Sequence, residues 1–283
     1  MSLLIETSCP TCDQKESDVR NFAIGYITNE DVIAMKCNNG HEFNLVTSAP
    51  KFATMYENGL TAFNNNNLFE AFSCFYSSYE LFKISFIKAY LFVIEGKTLE
   101  ETDSFLKNLK LSERISGAFS LIYFSFFNEI LKPKTTKNKS TELRSEDITL
   151  RNNIVHSGTI PTKREIEELG YNIYRFIRIN YQLFSNSTDE FPLPVIMQYN
   201  FQKMQHLKEK YPTYHVDNHD GTSLDLGSEL DLQNLPTFEE LLEKNKGNEI
   251  NKSGAKFFVE NKFADKDIRS LRDELEKRES KDI

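Results

Sequence analysis

The sequence has no tryptophan, only 11 glycines and 8 prolines in 283 residues, and no run of 18 uncharged apolar residues. The last absence argues against a membrane-spanning helix, because a bilayer core needs about 20 apolar residues in a row. The most apolar stretch, 84–94, is short and carries Lys88. The opening MSLLIETSCP has no basic start and no long apolar region, so no secretion signal is expected and a cytoplasmic location follows. Neither a glycine-rich phosphate loop nor a nucleophile elbow is present, which removes two common kinds of catalytic site from consideration. Cysteine is scarce, at four residues. In a reducing compartment these read as thiols or metal ligands rather than disulfides.

What the chain does have is phenylalanine and tyrosine, 23 and 12 residues, concentrated between 52 and 184. The net charge of −8 is unevenly spread. Residues 1–49 hold 3 basic and 7 acidic side chains, a balance of −4. Residues 50–184 hold 17 and 15, leaving +2, and residues 185–283 hold 14 and 20, leaving −6. The middle alone leans towards a polyanionic partner, although binding one needs a clustered patch rather than a favourable sum.

Patterning follows the same three parts. Residues 1–49 read as a small β-rich unit, with strand-like runs at 22–27, 32–35 and 42–46. From Pro50 the apolar period becomes helical, predicting helices over 51–63, 68–95, 98–107, 111–131, 145–157 and 162–184. Thr98 with Glu101, and Thr162 with Glu165, have capping-box spacing, while Gly158 and Pro161 are stop signals. Residues 185–283 read as a polar extension: a strand at 195–199, a short helix at 202–210, a loop over 211–236, and charged helices at 237–246 and 265–281. These acidic helices are a possible surface for a protein partner, and could compete with a polyanion for the basic loop at 132–141. The expected class is mainly α, a helical bundle preceded by a small β-rich knuckle.

Cys9, Cys12, Cys37 and His41 form C-x2-C and C-x3-H pairs separated by 24 residues. Zinc takes four tetrahedral ligands from thiolate and imidazole, offered by two tight turns, and both pairs lie in turn sequences beside strands. The pattern is similar to a zinc ribbon. Four protein ligands leave no open position, so such a site is structural. The alternative is free thiols in a small hairpin. Cys74 lies among Phe72, Phe75 and Tyr76 and reads as a core thiol. His215-x3-His219 would suit a metal only on a helix, and Asp217, Asn218, Asp220 and Gly221 argue for a loop there.

The segment Leu150-Arg151-Asn152-Asn153-Ile154-Val155-His156 carries the densest chemistry. On a helix Asn152 and His156 share a face, and the long Arg151 fork can lean over them. A guanidinium, a carboxamide and an imidazole around one spot suit RNA cleavage without a metal. The substrate's 2′-hydroxyl would attack phosphorus, His156 would act as general base or acid, Arg151 would neutralise charge on the phosphate oxygens, and Asn152 would orient the phosphate or the imidazole. The same residues fit a plainer reading in which Arg151 braces neighbouring helices and His156 only packs. Lys132, Lys134, Lys137 and Lys139 precede the motif helix and could grip flanking phosphates, or simply keep a loop soluble. Tyr171 and Tyr174 could stack bases, though helix packing is the plainer account of them.

A long helix with Glu80 in Ser78-Tyr79-Glu80-Leu81-Phe82, then a Phe-rich helix, then RNxxxH-S-G-x-x-P and a capped helix, resembles the HEPN superfamily over residues 52–184. The matching residues are Arg151, Asn152, His156, Gly158 and Pro161, with Glu80 at a polar position able to face the site. The resemblance implies a four- or five-helix bundle that pairs with a second copy, so that two motifs make one composite ribonuclease site needing no catalytic metal. It implies a toxin or antiphage effector role, and equally allows a non-catalytic module that binds RNA, nucleotide or protein.

Overall fold

The computed structural model describes residues 3–13, 22–27, 30–47, 49–109, 111–135, 142–185, 194–211, 214–217, 222–231 and 233–247. The chain divides into two compact units. The first is a five-stranded sheet in the order β1-β2-β3-β4-β5. Strands β1 (Leu3–Ser8), β2 (Phe22–Ile27), β3 (Ile33–Cys37) and β4 (Glu42–Thr47) form an antiparallel meander. A single helical turn, α1 (Pro10–Asp13), follows β1. In β3 the side chains alternate, with Ile33, Met35 and Cys37 turned inward and Ala34 and Lys36 outward, as a strand with one covered face requires. The fifth strand, β5 (Tyr214–Asp217), pairs parallel with β4, Asn44 opposite Tyr214.

The second unit is helical and spans Ser48–Glu209 and Asn218–Lys246. It contains α2 (Lys51–Asn64), α3 (Leu68–Ala89), α4 (Leu99–Lys107), α5 (Ser112–Phe127), α6 (Ser145–Ser157), α7 (Lys163–Leu183), α8 (Val195–Lys210) and α9 (238–247), the last residue of each of α8 and α9 falling in the first unit. The protein is thus mainly α with an N-terminal β unit. No helix among the described residues is long and apolar enough to cross a membrane.

Helix α3 is central because it is apolar on most sides: Phe72, Phe75, Phe82 and Phe86 are all buried. Phe86 stacks on Phe184 from the end of α7 at 3.8 Å and meets Phe119 of α5 edge-on at 4.9 Å. Phe82 packs against Phe176 of α7 and Phe52 of α2. Aromatic rings therefore do most of the filling that aliphatic side chains do in other cores. Lys83 lies within this layer, 3% exposed. Its Nζ donates to the Tyr79 hydroxyl and pairs with Glu142 at 3.5 Å, while Tyr79 donates to the same carboxylate.

Several boundaries differ from the sequence expectation. The helix expected over 68–95 is α-helical only to Ala89 and ends in a π-helical turn, Tyr90–Ile94, closed by the amide of Glu95 on the carbonyl of Tyr90. α5 stops at Phe127 rather than 131, because Asn128 adopts the left-handed conformation that ends a helix. Residues 195–199, expected as a strand, begin α8: Val195, Ile196 and Tyr199 fall on one helical face and are buried. β5 lies in a stretch expected to be loop, and β1 was not anticipated. The helix expected at 265–281 lies outside the described residues.

The extension expected from 185 onward divides between the units rather than standing apart. α8 and α9 belong to the helical unit and β5 to the sheet. Phe238 of α9 is buried against Phe63 and Phe75. Asn245, fully buried, donates to the Glu57 carboxylate of α2 at 3.0 Å, and the amide of Ser223 donates to the same carboxylate at 2.8 Å.

Candidate functional site

Two places gather chemistry, one in each unit. In the sheet unit, Cys9 and Cys12 are held by a turn in which the Cys12 amide donates to the Cys9 carbonyl at 3.0 Å. Cys37 and His41 are held by a second turn, closed by the Gly40 amide on the Cys37 carbonyl at 2.9 Å. Gly40 has φ +81°, a conformation costly for other residues. The four ligand atoms lie within 4.8 Å of one another. Sγ of Cys12 is 3.9 Å from Sγ of Cys37 and 3.2 Å from Nδ1 of His41. The same Nδ1 is 3.5 Å from Cys37 and 3.8 Å from Cys9.

A tetrahedron with bonds of about 2.3 Å to sulfur and about 2.0 Å to nitrogen has edges of about 3.8 Å and about 3.5 Å, so these separations fit one cation at the centre. The three thiols are buried and the imidazole half-buried. Burial pushes the Cys9 thiol up to about 11 in the metal-free chain, and a bound cation reverses that by displacing the proton. Nδ2 of Asn39 donates to Cys12 Sγ at 3.2 Å, a contact invisible in the spacing. Cys74 is not one of these ligands; it is buried in the helical core, and its thiol is likewise raised by burial, to about 11. His215 lies in strand β5, not on a helix, and His219 is outside the described residues.

In the helical unit, α6 carries the motif. Only Asp147 and Ile154 of this helix are buried. Asp147 accepts from the Arg144 backbone amide at 3.0 Å, from its Nε at 3.1 Å and Nη2 at 2.8 Å, and from Asn172 of α7 at 3.1 Å. Arg144 also reaches Glu168 of α7 at 3.1 Å. These carboxylates hold the Arg144 guanidinium well above its ordinary value. Gly158, at φ +65°, then closes the helix as the left-handed cap.

Between these ends the three motif side chains meet. Nη1 of Arg151 donates to Asn152 Oδ1 at 3.1 Å and lies 3.2 Å from His156 Nε2. Asn152 and His156 are exposed and Arg151 half-buried. Beneath them the guanidinium carbon is 5.5 Å from the centre of the Tyr76 ring on α3, a residue that sequence reasoning did not single out.

Glu80, one turn beyond Tyr76, accepts from Ser112 Oγ of α5 at 2.5 Å, and Arg151 turns to Asn152 and His156 instead. Lys134 pairs its backbone with Leu143 and Arg144 at the start of α6. Its ammonium is lowered by burial and by Arg175 and Arg144. A helix rises about 1.5 Å per residue, which puts this end of α6 about 18 Å from His156 along its axis. Lys132 is exposed nearby, and Lys137 and Lys139 lie outside the described residues. Tyr171 and Tyr174 stack on each other at 6.3 Å, and Tyr174 is buried in the core. Comparison with protein-family models, with curated proteins and with solved structures finds no match to this chain.

Proposed function

We propose that the chain is a metal-independent endoribonuclease of the HEPN type, acting as a homodimer in antiphage defence or as a toxin. The observation that carries this reading is the joint contact of Arg151 with Asn152 and His156 on an exposed helix face. His156 takes the proton of the RNA 2′-hydroxyl as that oxygen bonds to phosphorus. The bond from phosphorus to the 5′-oxygen breaks, and the leaving oxygen takes a proton from the imidazolium of the second motif. The products are a 2′,3′-cyclic phosphate and a 5′-hydroxyl. Arg151 stabilises the extra charge on the phosphate oxygens, and its planar fork matches them. Val155 and Ile160 put apolar surface beside the motif, 52% and 88% exposed, which a second copy would cover.

Zinc is the cation proposed for Cys9, Cys12, Cys37 and His41, supported by the donor set and the tetrahedral separations. Bound there it supplies folding energy and takes no part in cleavage. A second reading is a binding module without catalysis. It draws on the carboxylates around Tyr76: its hydroxyl is raised first by burial and then by Glu80, Glu142 and Glu113, which would repel a polyanion.

The test is cleavage of total cellular RNA by the full-length protein without added divalent cations, beside His156→Ala and Arg151→Ala. Cleavage leaving cyclic-phosphate ends, reduced about a hundredfold or more in both variants, is expected. Equal cleavage by wild type and His156→Ala would refute the assignment, and RNA binding without any cleavage would favour the second reading.

A further inference from the structure

A guanidinium donates hydrogen bonds and accepts none. The contact between Arg151 Nη1 and His156 Nε2 at 3.2 Å therefore needs a lone pair on Nε2, and the single proton of the neutral ring sits on Nδ1. That lone pair is the one a general base on this face would use, so in this arrangement it is covered. The cover is held from below. Arg151 Nε is buried with no hydrogen-bond partner, and the guanidinium rests over Tyr76. The Tyr76 ring is itself fixed, stacked on Phe72 at 6.0 Å and tilted against Tyr79 at 5.6 Å. Glu80 of α3, Glu142 just before α6 and Glu113 of α5 lie within electrostatic reach of the Tyr76 hydroxyl.

We propose that Tyr76 is a positioning residue whose ring holds the Arg151 guanidinium against His156 Nε2, so that the imidazole rests as its Nδ1–H tautomer until a phosphate draws the guanidinium away. A phosphate group competes for the same donors with two oxygens at once, and charge-assisted pairs of that kind are the strong ones. Substrate would thus uncover its own base, and the empty site would be protected from stray proton transfer. The catalytic consequence rests on the ribonuclease reading, whereas the tautomer does not.

Ring-nitrogen chemical shifts of 15N-histidine-labelled full-length protein, at a pH where the same spectra show His156 neutral, test this. Wild type and Tyr76→Phe are expected in the Nδ1–H form. Tyr76→Leu and Arg151→Ala should move to the Nε2–H form. Saturating inorganic phosphate should shift wild type and leave Arg151→Ala unchanged. An Nε2–H tautomer in the free wild type, an unmoved tautomer in Tyr76→Leu or Arg151→Ala, or no response to phosphate would overturn the proposal. If Tyr76→Leu fails to fold, Tyr76→Met, which keeps the bulk and removes the ring, takes its place. A wild type that shows the Nδ1–H tautomer and cleaves no RNA would sink the ribonuclease reading alone.

Discussion

Replacing Asp147 with alanine should loosen the motif helix more than any other single change on it. The carboxylate is 2% exposed and caps the first turn of α6, ties down the Arg144 side chain, and satisfies Asn172. Loss of a helix cap costs about 1 kcal/mol. The buried Asn172 amide, left without its acceptor, costs about 1–3 kcal/mol more. The Arg144 side chain is 32% exposed and can turn to water, so its share is below about 1 kcal/mol. The sum is about 2–5 kcal/mol, or about 4–20 °C in Tm for a unit of this size. Asp147→Asn, which keeps an acceptor and loses the charge, should cost about half as much. Urea unfolding gives the energies, and amide exchange should show lost protection over 145–157 ahead of α3 and α7. A cost below about 1 kcal/mol, or unchanged protection in α6, would refute the reasoning.

Burial raises the hydroxyls of Tyr56, Tyr76, Tyr79, Tyr174 and Tyr181, the last to about 12. The unfolded chain then releases these protons first as pH passes 10, so stability should fall from there upward. Tyrosinate absorbance should rise together with the loss of helical ellipticity. Lys83, lowered by burial, acts with the opposite sign just below its ordinary 10.5, and Lys83→Met should remove that small rise. The full-length protein should bind one zinc per chain by elemental analysis. Cys37→Ser and His41→Ala should abolish it and Cys74→Ser should not, and retention by Cys37→Ser would refute the site. Val155→Asp should shift the chain from dimer to monomer in light scattering and remove RNA cleavage with it; a dimer that persists would place the contact elsewhere.

What could be read in advance was what is local. The boxes at Thr98–Glu101 and Thr162–Glu165 form as their spacing demands, because a cap is settled within four residues. The knuckle was legible because two tight turns advertise themselves. Residues 195–199 were misread because a five-residue apolar run has no period of its own, and only the bundle decides which face it buries. β5 was out of reach, since parallel pairing with β4 joins residues about 170 apart and leaves no turn signal. Tyr76 was missed for the same reason: which ring lies beneath Arg151 depends on how α6 crosses α3. The burial of Lys83 was equally out of reach, because its partners, the Tyr79 hydroxyl and Glu142, are brought to it only by the fold.

The attachment of α9 to α2 decides how this protein can be cut. A fragment trimmed at 184, where the helical pattern first weakens, would bare Phe63 and Phe75 and leave the Glu57 carboxylate facing water without Asn245 or Ser223. Removing 237–283 to ask what the acidic end does would damage the same place and mix a folding defect into the answer. A shortened chain that stops just after 247 keeps the contacts of Phe238 and Asn245, and is the form in which to ask what the remaining residues contribute.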